Sequence, residues 1–264
     1  MSVAVSDRAV NVTSTGVVRT VTLDRETKRN SLTVEMLLAL EEALGQIEAD
    51  RSVRVVIVTG AGEAAFSSGA DLDSFAGQDR DAAWRDWVPL GHRVFGRLAA
   101  LPLPTIAVLN GNAFGGGLEL ALACDLRLAV ADASVGCPEV GLGTLPGWGG
   151  TGRLIDAVGH ARARQLVLTG MPIDAAQAVS WGLLSDCAPR SDMPTLVATY
   201  RDALCSRAPI AVALAKQILA AHGDGQRRTE VLEALGSAVS ATTGDLGEGI
   251  AAFREKRTPT FKGD

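Results

Sequence analysis

"NAFGGGLELALACD", residues 112–125, decides how this chain is read. Gly115, Gly116 and Gly117 stand directly ahead of an apolar helical stretch, and Glu119 is set among leucines and alanines. Three adjacent glycines cost conformational order, so their use points to backbone that turns tightly or comes close to another group. Leu118 to Cys124 read as a helix, which leaves unsatisfied N–H groups and the positive end of the helix dipole at the glycines. An oxygen gaining negative charge at that point would be stabilised, one such donor being worth about 3 kcal/mol in an acyl-transfer site. Close packing of helix on sheet is the plainer use of the same glycines. Between Leu118 and Leu120, the Glu119 carboxyl should have its pKa raised towards neutrality, as proton transfer at pH 7 requires. A solvent-exposed partner for the helix dipole is the alternative.

Moving outward, "VRVVIVTG" (53–60) is a continuous β-branched run suited to a strand buried on both faces, and it leads into "FSSGADL" (66–72). The β-rich "PTIAVL" (104–109) leads in the same way into the triple glycine. Two successive strands thus end in glycine turns, which side by side could aim two amides at one point. A second acid, Glu139, lies in "GCPEVGLGTLPGWGG" (136–150), after the strand "LRLAV" (126–130). Strand-return geometry can bring it beside Glu119; alone it would be a loop charge. "VVIVTGAGEAA" (55–65) imitates a dinucleotide fingerprint through Gly60, Gly62 and Ala65. That fingerprint needs a helix opening at the glycines, and the following "FSSGAD" has no helical period, so nicotinamide binding is not expected.

Near the start, "GVVRTVTL" (16–23) reads as a strand, and "TVEMLLALEEALGQIEAD" (33–50) as a helix capped by Thr33. Asp71 to Gly91 carries many charges, two tryptophans and a proline without periodicity, and is expected to be mobile or variable. From Thr151 the pattern turns helical over 151–159, 161–170 and 174–182, each closed by glycine, with a short strand "LLSDCA" (183–188) after them. Helices follow at about 192–206, 209–221, 229–241 and 245–256, and Pro259 ends the last. No Pro-, Gly- or Ser-rich linker divides the chain. The expectation is an α/β core over residues 1–195, carrying the site, and a helical C-terminal region over 196–264, packed on the core or on a neighbouring subunit.

The 264 residues are 47% hydrophobic with a net charge of −5, ample for a large core. Basic residues are scattered without blocks or interleaved aromatics, which argues against nucleic acid as a partner. Asp7 and Arg8 interrupt the first residues, and no run approaches the roughly 18 apolar residues of a spanning helix, so no membrane partner and a cytoplasmic location are expected. Cys124, Cys137, Cys187 and Cys205 form no C-x-x-C, and His92, His160 and His222 are scattered, so neither a metal nor a disulfide is expected.

Taken together, these motifs give the chain a resemblance to the crotonase superfamily, and within it to the enoyl-CoA hydratase/isomerase family. The likeness is carried by "LDRETKRNSLT" (23–33), "FSSGADLDSF" (66–75), "GNAFGGGLELALACDLRLA" (111–129), "GCPEVGLGTLPGWGGTGRL" (136–154), "LTGMPIDAAQAVSWGLLSD" (168–186) and "GEGIAAFREKRTPTF" (247–261). The resemblance implies an α/β fold, a spiral of ββα repeats with a helical C-terminal trimerisation region, assembled as a homotrimer or homohexamer. It implies an acyl-CoA thioester substrate, no cofactor beyond the coenzyme A carried by that substrate, and syn addition of water to the double bond. Carried over by position, the backbone N–H groups of Ala70 and Gly116 form an oxyanion hole. Glu139 gives a proton to the α-carbon, and Glu119 orients and activates the attacking water. Ser68, Asp71 and Leu72 match the stretch along the adenine and pantetheine path, and Lys28 a basic position near the CoA phosphates. Double-bond isomerisation through the same enolate and non-catalytic acyl-CoA binding are the alternatives. The chain departs from the family pattern at Asp73, where a lysine is frequent, at Trp148, where a small residue is frequent, and at "NSLT", where "NALN" is commoner.

Overall fold

The computed structural model describes residues 9–76, 83–221, 232, 235–240 and 242–264. Part of the variable stretch expected over 71–91, part of the helix expected over 229–241, and residues 1–8 lie outside the described residues. Strands β1 (Val10–Thr15) and β2 (Val18–Leu23) form an antiparallel hairpin. Helix α1 (Val34–Ala49) starts where Thr33 accepts the Met36 N–H at 3.3 Å, a cap worth about 1 kcal/mol. It buries Met36, Leu37, Leu40, Leu44 and Ile47, the apolar stripe that the sequence writes at helical spacing.

Three similar turns follow. The first is β3 (Val55–Gly60), β4 (Ala65–Ser67) and the helices α2 (Leu72–Ala76) and α3 (Val88–Ala100), with a π turn at Ala83–Trp87. The second is β5 (Thr105–Leu109), β6 (Asn112–Phe114) and α4 (Gly116–Leu122), and the third β7 (Leu126–Val130), β8 (Ser134–Gly136) and α5 (Gly150–Thr169). The chain continues through β9 (Ile173–Asp174), α6 (Ala175–Ser180), β10 (Asp186–Ala188), α7 (Met193–Cys205), α8 (Pro209–Ala221) and α9 (Gly244–Glu255). The first strand of each turn joins a six-stranded sheet in the order β1-β2-β3-β5-β7-β10, and the second strand a four-stranded sheet, β4-β6-β8-β9. Pairing between successive turns is parallel in both sheets, so each turn repeats the one before it, one strand further along.

This register builds the site. Ser67 of β4 pairs with Ala113 of β6, and Phe114 of β6 with Gly136 of β8. The residues just beyond these strands, Gly69–Ala70, Gly115–Gly116 and Pro138–Glu139, therefore come level at one edge. Beneath them the main sheet is sealed: Val55, Val56, Val58, Ile106, Ala107, Leu128 and Ala129 are all buried, as a parallel sheet covered on both faces requires.

The second strands have only three residues each, too few for a period-2 pattern, and the residue pattern alone gave turns at those places. The helices expected over 151–159 and 161–170 are both present: α5 is two helical segments joined at Gly159, whose φ of 75° and ψ of 166° are not helical. In the C-terminal part, Leu196, Val197, Tyr200 and Leu204 of α7 pack on the core, and Lys216 of α8 pairs with Asp125 at 2.8 Å. Asp245 is buried and accepts the Lys262 and Gly263 amides at 2.7 and 2.9 Å, fastening the chain end to α9. Among the described residues no single helix is long and apolar enough to cross a membrane.

Candidate active site

Two amides meet at the turn ends. An isolated parallel bridge joins Leu32 to Ala70, with Leu32 N–H donating to Gly69 O at 2.8 Å and Asp71 N–H donating to Leu32 O at 2.9 Å. The bridge uses the groups on either side and leaves the Ala70 N–H out of the ladder. Gly69 adopts φ +96°, and a Cβ there would stand 2.8 Å from Phe114 O and 3.0 Å from Gly116 N. From the other side, a Cβ on Gly116 would stand 3.4 Å from Ala70 N. The Ala70 and Gly116 nitrogens are thus neighbours across two turns, and Gly116, first residue of α4, has no intrahelical acceptor for its N–H.

The triple glycine serves packing as well. A Cβ on Gly117 would lie 2.3 Å from Ser67 O, so α4 could not approach β4 with any larger residue. Gly115, at φ 52° and ψ −127°, supplies the turn into the helix. The packing use foreseen from sequence falls on Gly117, and the turn on Gly115.

Glu119 is 2% exposed, in the first turn of α4. Its Oε1 accepts the N–H groups of Trp148 and Gly150, each at 2.8 Å. A Cβ on Gly150 would fall 2.3 Å from Glu119 Cγ, so the glycine lets the loop close over the acid. Burial raises the Glu119 pKa, opposed by the Trp148, Gly150 and Gly147 amides and by the Arg153 charge. Glu139 is placed differently: both of its carboxyl oxygens are buried and neither has a hydrogen-bond partner among the described residues. Oε1 sits 3.1 Å from where a Gly115 Cβ would be, directly over the glycine turn. Burial pushes the Glu139 pKa up to about 7, opposed by its own backbone N–H and reinforced by the Glu119 charge.

Both acids line one cavity of about 150 Å³ together with Ser68, Ala70, Leu72 and Gly116. Trp87, Val88, Leu142, Leu145 and Trp148 supply its apolar wall. The apolar wall was legible only in part: Trp148 stood out between glycines, whereas Trp87 lay in a stretch without periodicity.

The remaining expected residues stand outside this cavity. Asp71 is buried and its carboxylate is occupied: Arg25 donates to it at very short range, Ser31 Oγ at 3.0 Å, and Ser74 N–H at 3.0 Å as the cap of α2. The Arg25 guanidinium holds the Asp71 carboxyl well below the usual carboxylate range. Asp71 therefore shapes the turn that presents Ala70. Lys28 is exposed and pairs with Asp73 at 3.3 Å, so the departure at position 73 lands on the basic residue expected near the phosphates. Among the described residues no group of three or more His, Cys, Asp or Glu side chains is arranged to hold a metal ion.

A spiral of ββα turns that feeds two sheets, with glycine-turn amides gathered at one edge, defines the crotonase fold class. Residues 13–264 match the family described as enoyl-CoA hydratase/isomerase. The chain is 38% identical to the short-chain-enoyl-CoA hydratase of Clostridium acetobutylicum, over 92% of this chain and 93% of that protein. It is 39% identical to the 2,3-dehydroadipyl-CoA hydratase of Escherichia coli, over 92% of this chain and 94% of that one. Among solved structures, the enoyl-CoA hydratase of Bacillus anthracis superposes with a TM-score of 0.93 at 38% identity, covering 97% of this chain and all of that one. This chain belongs to the enoyl-CoA hydratase/isomerase family.

Proposed function

We propose that the protein is an enoyl-CoA hydratase that adds water syn across the α,β double bond of a 2-enoyl-CoA thioester, giving a 3-hydroxyacyl-CoA. The observation that carries this reading is one cavity lined by two buried carboxyl groups in different settings: Glu119 is held by two amides, and the Glu139 carboxyl has no hydrogen-bond partner among the described residues. Amide hydrogen bonds favour the ionised form and an apolar, unpartnered setting the protonated form, so the pair divides into base and acid.

The thioester carbonyl accepts the Ala70 and Gly116 N–H groups. The Glu119 carboxylate takes a proton from water as the water oxygen bonds to the β-carbon. The π electrons move towards the carbonyl oxygen, where the two amides stabilise the enolate charge. The Glu139 carboxyl then delivers its proton to the α-carbon, and exchange of one proton through solvent resets the acids. No redox step occurs, and the balance of this reaction calls for no cofactor beyond the coenzyme A of the substrate. Ser68 and Leu72 flank the Ala70 turn and line the way in, Asp71 holds that turn, and Lys28 offers the nearby cation for the CoA phosphates.

Assembly as a homotrimer or homohexamer follows as a proposal from the family resemblance, with Leu168, Met171 and Phe253 among the apolar side chains left exposed; sedimentation equilibrium would read three or six times the chain mass. The direct test of the activity follows the ultraviolet absorbance of crotonyl-CoA, which falls as water adds. A fall that disappears in Glu139→Gln supports the two-acid reaction; unchanged hydration in that variant refutes it. Isomerisation needs only one acid, so a Glu119→Gln variant that loses hydration but still shifts a double bond identifies that as a second activity.

A further inference from the structure

Trp148 lines the same cavity as the two acids. It is 3% exposed and gripped on several sides. A Cβ on Gly91 of α3 would stand 2.0 Å from Trp148 Cδ1, and a Cβ on Gly116 would stand 2.4 Å from Cζ3. The indole therefore fills a slot open only because residues 91 and 116 are both glycine. One end rests on α3 and the other lies beneath the turn that carries the oxyanion amide. Trp87 is tilted against the ring at 5.1 Å, and Phe95 meets it edge-on at 5.4 Å. A ring held on these sides has no free rotamer to swing into, and moving it leaves a void among large apolar neighbours.

An acyl chain whose carbonyl sits at the Ala70 and Gly116 amides must run past the acids into this wall. The space between these turns and the wall, about 150 Å³, is comparable to a cavity that in a packed protein interior admits a molecule such as benzene, which is room for a short acyl chain. We propose that Trp148, seated between Gly91 and Gly116, sets the acyl-chain length and restricts the enzyme to short 2-enoyl thioesters. This deepens the hydratase reading and rests on it for the identity of the reaction, but the length limit itself is a property of the cavity.

The experiment compares wild type, Trp148→Phe and Trp148→Ala on crotonyl-, 2-hexenoyl-, 2-octenoyl- and 2-decenoyl-CoA. In parallel, calorimetry measures the binding of butyryl- and octanoyl-CoA. All three proteins keep the residue-148 amide that holds Glu119, so a change in preference reports the ring. For wild type, kcat/KM on 2-octenoyl-CoA should lie at least about 10-fold below that on crotonyl-CoA. Trp148→Ala should raise the octenoyl-to-crotonyl ratio by about 10-fold or more, with Trp148→Phe between, and the Kd ratio for octanoyl- against butyryl-CoA should move the same way. If Trp148→Ala does not fold, Trp148→Phe carries the test. Ratios unchanged in the folded variants, or a wild type that accepts 2-decenoyl-CoA as well as crotonyl-CoA, overturn the proposal. A shifted binding ratio in a protein that hydrates none of the thioesters leaves the length limit standing and removes the hydratase reading. Hydration with unmoved ratios does the reverse.

Discussion

The backbone N–H of Trp148 donates to Glu119 Oε1 at 2.8 Å, so the residue whose ring walls the cavity also fixes one of its acids through the main chain. Gly150 donates to the same oxygen at 2.8 Å, and the two amides turn a buried carboxyl into an oriented one. Orientation of a base, more than its basicity, is what converts a bound water into a nucleophile aimed at one carbon.

Glu119→Gln tests this division. The amide oxygen of glutamine can still accept both N–H groups, so the fold should be retained, with a melting midpoint close to that of wild type. The base is gone, and kcat for hydration should fall by roughly 10²–10⁴-fold. Steady-state kinetics on crotonyl-CoA beside a thermal melt separates the two effects, and a variant keeping a tenth of the wild-type rate would show that Glu119 does not act as the base.

The Glu139 carboxyl has its pKa raised by burial from an unfolded value of 4.5 to about 7, so the folded protein binds this proton more tightly than the unfolded chain. A group of this sign contributes stability that is fully present below pH 4.5 and is lost as pH rises through about 7. Ionising it above that range costs roughly 1–3 kcal/mol. Glu139→Leu removes the charge and leaves no amide to satisfy, so its unfolding free energy should lack this decline between pH 5 and 8. It should exceed that of wild type at pH 8. Urea titrations at several pH values measure the difference, and parallel curves for the two proteins would contradict it. The same titration removes the proton donor, so wild-type kcat/KM should also fall as pH rises through about 7.

Asp73 and Lys28 form an exposed pair at 3.3 Å, with side chains 86% and 56% accessible. Pairs of this kind contribute little to stability, but here the carboxylate sits on a cation suited to a CoA phosphate. Asp73→Lys should lower KM for CoA thioesters by about 3- to 10-fold with kcat nearly unchanged, and the gain should shrink as salt is added. An unchanged KM at low ionic strength would mean that the phosphates lie elsewhere.

Much of this arrangement was written in the sequence in forms that short-range rules can read. The β-branched run of β3 and the apolar stripe of α1 announce a buried sheet and the helix that covers it. The triple glycine followed by Glu119 announces a close backbone approach with an acid beside it. What could not be read locally depends on register. Glu139 is an ordinary loop acid until the pairing of Phe114 with Gly136 brings it over Gly115, and the strands that do this are three residues long. The role of Asp71 is likewise hidden, because Arg25 and Ser31, which occupy its carboxylate, come from a segment more than 35 positions earlier. Nor does Gly91 declare itself: within α3 it is merely an unfavourable helix residue until Trp148 is seen to lie on it.

That last contact gives a prediction in which two destabilising changes partly cancel. Gly91→Ala alone improves helix propensity by about 1 kcal/mol, yet its Cβ would stand 2.0 Å from Trp148 Cδ1. The indole is locked between α3 and Gly116 and can yield only by displacing the loop that holds Glu119. The net cost should be about 1–3 kcal/mol, with lowered kcat, because the Trp148 and Gly150 amides move with the ring. Trp148→Phe alone should cost a similar amount by leaving a void. In the double variant the smaller ring leaves room for the new methyl and the helix gain returns. The combined loss should then fall short of the sum of the single losses by about 1 kcal/mol or more. Denaturant unfolding of the four proteins completes the cycle. Strict additivity would mean that the slot between Gly91 and Gly116 relaxes without involving Trp148, and that the wall is softer than its packing implies.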